Sequence, residues 1–184
     1  MNVRRTTTTA MLAAVAFLLM ATIQVPILPQ APFLKYDPSD AVALLGGIAY
    51  GPAAGAAIVL VKDVLFFMFR ARSPFGPLAD FIAASSFVIV AAWAYRRGAG
   101  PFPRRLLTAA VLGAVVRVLV MIPTNFLILY LEFGMKPARV AGMLLPAIIP
   151  FNALKALINA GIAFAFAEPF LRHVVQAPPP QGRS

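Results

Sequence analysis

Long apolar runs alternate with short polar clusters along this chain, and the runs set its architecture. Six apolar segments emerge, at about 7–25, 39–50, 53–69, 77–95, 106–131 and 142–170. A helix rises about 1.5 Å per residue and the bilayer core is about 30 Å thick, so a crossing takes roughly 20 residues. The third segment is marginal by that measure. The second gives only about 18 Å of helix, so it must tilt, re-enter or pack inside protein. Pro26 and Pro29 close the first segment, Gly51-Pro52 reads as a turn, and Pro146 and Pro150 interrupt the start of the sixth. The pattern predicts an all-α integral membrane protein, a bundle of six transmembrane helices in one domain over residues 1–172. The Pro-rich end at 173–184 cannot continue a helix and is expected to be a disordered cytoplasmic tail.

Composition agrees with the pattern. Hydrophobic residues make up 61% of the 184 and charged residues only 12%, about half the share usual in a soluble domain. Arg4 and Arg5 before the first run suggest a signal peptide. The run is too long for one, and five more apolar segments follow, so it reads as the first membrane helix. The net charge of +10 marks cytoplasmic loops and anionic-lipid contact, not nucleic acid. Arg4, Arg5, Arg96, Arg97, Arg104, Arg105, Arg172 and Arg183 fall on the side of the termini. Lys35, Arg70, Arg72, Lys136 and Arg139 fall on the other, offset by Asp37, Asp40 and Glu132. That bias puts both termini in the cytoplasm and the cluster "PFLKYDPSD" (32–40) outside, as a lid-like loop between helices 1 and 2. With no cysteine and a single histidine, His173, thiolate chemistry and multi-histidine metal sites are excluded.

Ionisable side chains inside membrane segments are costly and tend to face a cavity or a partner. Lys62, Asp63, Asp80, Arg117 and Lys155 are such residues here, joined by Asn125, Asn152 and Asn159. Lys62 and Asp63, adjacent in sequence, point about 100° apart on a helix. Each is expected to find a partner on another helix, with Arg117 and Asp80 as candidates. Asn152, Lys155 and Asn159 stand at i, i+3 and i+7, on one face of a helix. That stripe either ties helices together or lines a polar cavity. Pro150 just before it leaves a carbonyl of the preceding turn without its usual donor. Counting residues down the segments puts Asn125 about 9 Å and Asn152 and Lys155 about 15–20 Å below the outer ends, with Asp80 near the outer end. A carboxamide both donates and accepts, which suits the edge of a neutral ligand with alternating NH and C=O groups. Phe33, Leu34, Phe126 and Phe151 supply flat apolar cover for an aromatic ring. Gly47, Gly51 and Gly55 recur at a small-xxx-small spacing that suits close helix packing.

The stretches "FLKYDPSD", "ALLGGIAYGPAAGAAIVLVKDVL", "GPLADFIAASSFV", "MIPTNF" and "PFNALKALIN" occur in this order. Together they resemble the substrate-binding S-component of energy-coupling factor (ECF) vitamin transporters, most closely the riboflavin S-components. The resemblance covers roughly residues 8–170. It implies a subunit that binds riboflavin from outside and delivers it by toppling, in complex with a transmembrane coupling protein and two cytoplasmic ATPases. Riboflavin would be the transported ligand, with no cofactor. Asn125, Asn152 and Lys155 fall where the family contacts the flavin. Lys35, Tyr36 and Asp37 fall where a loop closes over it. Ala10 and Ala14 match an AxxxA pattern that docks on the coupling protein. Asp80 departs from an expected asparagine, so it either alters ligand preference or pairs with a cation. That departure keeps a cobalamin-precursor nucleoside or pantothenate open as the ligand.

Two other classes compete with this reading. An intramembrane enzyme would use Asp63 and Asp80 as a carboxylate pair, yet residue counting sets the two at different depths. A self-sufficient channel is disfavoured by the lack of an internal repeat. No phosphate-binding G-x-x-x-x-G-K-[ST] loop is present, so the energy for transport has to come from a partner. Within the loop, Lys35–Asp37 are expected to serve ligand or gate. Pro38–Asp40 are expected to serve architecture, with Ser39 or Asp40 capping the second helix.

Overall fold

The computed structural model describes residues 3–172. In chain order the elements are α1 (Val3–Thr22), β1 (Val25–Pro26), β2 (Lys35–Tyr36), α2 (Ser39–Tyr50), α3 (Pro52–Phe69), α4 (Phe75–Arg97), α5 (Phe102–Phe133), α6 (Pro137–Met143), a π-helical turn (Leu144–Ile148) and α7 (Ile149–Phe170). Among the described residues, five helical stretches are long and apolar enough to cross a membrane: α1, α3, α4, α5 and the run Pro137–Phe170. Their outward faces carry large apolar side chains such as Leu107, Leu119, Leu127 and Phe166, while Ala16, Ala84, Ala91, Ala156 and Ala163 are fully buried. That inversion is what lipid demands. Helices in a bilayer associate through close packing of small residues, since the outer face loses nothing by meeting acyl chains. The expected tail at 173–184 lies outside the described residues.

The short α2 resolves the problem of its length by being internal. Nine of its twelve residues are buried. The Ala41 N–H donates to Asn159 Oδ1 at 3.1 Å, and Asn159 is halfway along α7. At the other end of α2, the Arg96 guanidinium lies 3.7 Å from a Cβ built on Gly51, and Arg96 is in the last turn of α4. The helix therefore runs from mid-depth to one face of the bundle, and the chain between α1 and α2 dips inward to complete the crossing. Backbone inside a membrane is tolerated where protein surrounds it. Gly51, at φ +103°, makes the turn into α3, a conformation that favours glycine. Gly47 and Gly55 then let α2 and α3 pack backbone to backbone: a Cβ on Gly55 would stand 3.0 Å from Gly47 Cα and 2.4 Å from Val88 Cγ1.

Helix ends extend beyond the sequence expectation, with α4 and α5 each gaining residues at both ends. The sixth segment changes character. It starts at Pro137 and passes through the π turn, where Ile149 N–H reaches back to Leu144 O. Pro146 O is the carbonyl that Pro150, having no N–H, leaves unpaired; Gln30 Nε2 of the α1–α2 loop takes it at 3.1 Å. The capping expectation is corrected. Neither Ser39 nor Asp40 caps α2: Asp37 Oδ1 accepts the Ser39 N–H at 3.1 Å, and its carboxylate also accepts the Ser39 hydroxyl.

Candidate ligand-binding site

A cavity of about 660 Å³ opens among α1, α3, α4, α5 and α7 beside the α1–α2 loop, within the size range of small-molecule sites. Its deep end is a network of buried charge. Lys155 Nζ bridges Asp37 Oδ2 and Asp80 Oδ1, both at 2.7 Å. Asp80 Oδ2 meets Lys62 Nζ at 2.5 Å, and Lys62 reaches Asp40 at 3.3 Å and Asp63 at 3.4 Å. Asp40 Oδ2 accepts from Arg117 Nη1 at 2.7 Å, and Arg117 Nε donates to Asn152 Oδ1 at 3.2 Å. Four carboxylates thus share three cations across α2, α3, α4, α5, α7 and the loop. Each pair offsets the several kcal/mol cost of removing its ions from water. The arrangement fixes the relative positions of five helices at one depth.

The asparagines are oriented by their own helices. Asn125 Nδ2 donates to Met121 O at 2.7 Å and Asn152 Nδ2 to Ile148 O at 2.9 Å. Each is the carbonyl one turn earlier, and proline interrupts both regions, at Pro123 and at Pro146 and Pro150. The bond holds the carboxamide in one orientation. Asn125 Oδ1, with no partner among the described residues, remains available at the cavity wall. Asn159 has a different role, since its Nδ2 donates to Asp37 O at 3.2 Å and its Oδ1 holds the start of α2.

Of the residues singled out from sequence, Lys35, Asp37, Asp80, Asn125, Asn152 and Lys155 all line this cavity. Tyr36 does not. Partial burial, then the Asp37 carboxylate beside it, push its phenol up, so it stays neutral at physiological pH. Phe33, Leu34 and Phe151 line the cavity, whereas Phe126 packs in a satellite cluster with Leu129, Val140 and Ile148. Ala10 and Ala14 are exposed along α1.

Three expectations need correction. Lys62 and Asp63 do touch, because the lysine side chain is long enough to fold back. Asp63 and Asp80 are not separated by depth; both reach Lys62. Asp40, read as a cap, is a buried partner of Lys62 and Arg117. An acid in the otherwise apolar "SDAVALLGGIAY" was a signal for that role. Sequence reading also missed Gln30 and the rim formed by Arg70, Arg72, Ser73 and Glu132.

A bundle of membrane-crossing helices around a polar-floored cavity defines a multi-pass solute-binding protein. The chain belongs to the family of ECF transporter substrate-specific components, whose model matches residues 4–167. It is a transporter component and not an enzyme. It is 33% identical over 162 residues to the riboflavin transporter RibU of Staphylococcus aureus (strain TCH60), covering 84% of each chain. It is 30% identical over 169 residues to the riboflavin transporter FmnP of Bacillus subtilis (strain 168), covering 86% of this chain and 87% of that one. A solved structure of the S component of a bacterial ECF transporter superposes with a TM-score of 0.79 at 32% identity, covering 96% of this chain and 100% of the other.

Proposed function

We propose that this protein is the riboflavin-binding subunit of an ECF importer, taking the vitamin into the 660 Å³ cavity and presenting it to an energising module. The observation that carries this reading is the convergence of Asn125, Asn152 and Lys155 on one cavity that Phe33 and Phe151 also line. Riboflavin carries an uncharged aromatic ring with a donor–acceptor edge, which matches carboxamides anchored to their own helices and an ammonium held by Asp37 and Asp80. The names of the relatives support the same ligand. In this reading Lys35 and Asp37 belong to the segment that closes the site, and Asp80 acts through Lys155. Tyr36, which stands off the cavity wall, supports the loop.

The exposed face of α1 that carries Ala10 and Ala14 is the docking surface for a transmembrane coupling protein, which works with two cytoplasmic ATPases. Small side chains there allow close helix approach. The arginine distribution supports a cell-membrane location with both termini in the cytoplasm. Fluorescence titration of the purified protein tests the ligand. Riboflavin should be quenched on binding with a Kd on the order of nanomolar. Pantothenate and a cobalamin-precursor nucleoside should not compete. Displacement by either would reassign the site.

A further inference from the structure

We infer that Arg117 is a positioning residue for the ligand: held by Asp40, it fixes the carboxamide of Asn152 so that this residue meets the ligand as a hydrogen-bond donor. The inference rests on the flavin reading above and adds to it how the polarity of the binding wall is set.

Arg117 is 1% exposed and lines the cavity. Met121 and Asn125 follow it at i+4 and i+8, so the three line the cavity from one face of α5. The guanidinium donates twice. Nη1 donates to Asp40 Oδ2 at 2.7 Å, and Nε donates to Asn152 Oδ1 at 3.2 Å. An ion pair with Asp40 asks only for a positive charge. The second bond asks for a rigid planar fork, which arginine has and lysine lacks. Through that fork the buried half-helix α2, which carries Asp40, sets a side chain on α7.

Asn152 is held from both ends. Its Nδ2 donates to Ile148 O at 2.9 Å, while its Oδ1 accepts from Arg117. A guanidinium only donates and a backbone carbonyl only accepts, so the two neighbours demand the same orientation of the carboxamide. With one end tied, the group could still turn about that bond; with both tied, it cannot. One Nδ2 hydrogen is left for a ligand, and the cation at the oxygen end makes it a stronger donor. Asn125 is the opposite case. Its Nδ2 is taken by Met121 O at 2.7 Å, and its Oδ1 has no partner among the described residues. The wall therefore offers an acceptor from α5 and a donor from α7. It fits a ligand edge on which an N–H stands beside a carbonyl.

A double-mutant cycle on riboflavin affinity, read by fluorescence quenching, tests this role. Arg117→Lys keeps a charge for Asp40 and loses the fork. Arg117→Met combined with Asp40→Asn removes the pair together, so neither ion is left without the other; it carries the test if the lysine variant does not fold. Either change should weaken riboflavin about tenfold in the wild-type background. The same change should cost less than about twofold once Asn152 is alanine, and the full tenfold once Asn125 is alanine. A role confined to holding the helices together would weaken riboflavin alike in all three backgrounds, and that result overturns the proposal. Unchanged affinity in the wild-type background overturns it too. Both results leave riboflavin as the ligand, whereas a wild-type protein that does not bind riboflavin overturns the flavin reading and this inference with it.

Discussion

On the proposed reading, Asn125 and Lys62, both buried, divide between binding and folding. Asn125 is anchored to its own helix and turns a free carbonyl oxygen to the cavity. Asn125→Ala should therefore cost about tenfold in riboflavin affinity, equivalent to about 1.4 kcal/mol, with little change in melting temperature. Lys62 is fully buried and does not line the cavity. Lys62→Met leaves Asp40, Asp63 and Asp80 short of a cation, and should cost about 3–5 kcal/mol of stability in a detergent melt. The charge count gives a sharper contrast. Asp63 Oδ2 is buried without a partner and Asp63 is the fourth acid against three cations, so Asp63→Asn should leave the melt unchanged or raise it. Asp80→Asn removes the bridge between Lys62 and Lys155 and should lower it. Equal effects would mean that the network does not share charge as the geometry indicates. The sequence disclosed these residues because ionisable groups stand out in apolar runs. It named Asp80 as a candidate partner on another helix, which Lys62 does meet, but not the rest of the network, because lysine reach and loop depth are set by tertiary packing and not by helical spacing.

Among the elements, α2 was the least legible. Its twelve apolar residues signalled a helix too short to cross upright, yet periodicity carries no information on depth. The half-helix is defined by contacts far apart in sequence, Asn159 at its start and Arg96 at its end. The break in the last helix was half legible, since Pro150 announced an unpaired carbonyl but not that Gln30 would fill it. The glycines offer a test at this scale. Gly55→Ala would drive a methyl into Val88 and the Gly47 backbone, and should destabilise by about 1–3 kcal/mol. Gly76→Ala meets nothing and should melt as wild type does. If Gly55→Ala is equally silent, α2 and α3 do not pack as described.

At the scale of the molecule, the bundle is apolar outside, alanine-rich within, and charged at a single level where α2, α3, α4, α5, α7 and the dipping loop meet. The loop is tied to that level by Asp37 and to the π turn by Gln30. On the proposed gating role of the loop, releasing a ligand means breaking the Asp37–Lys155 pair while Asp80 keeps Lys155 neutralised. Asp37→Asn should accordingly raise the riboflavin off-rate more than the on-rate in stopped-flow quenching, and an unchanged off-rate would remove the loop from the gate. The central claim is that the cavity is built for riboflavin. Native mass spectrometry of the protein purified from riboflavin-replete cells tests it most directly. The account predicts one riboflavin per chain, released by Asn125→Ala combined with Asn152→Ala. A folded protein that carries no flavin, or a different small molecule in its place, would contradict it.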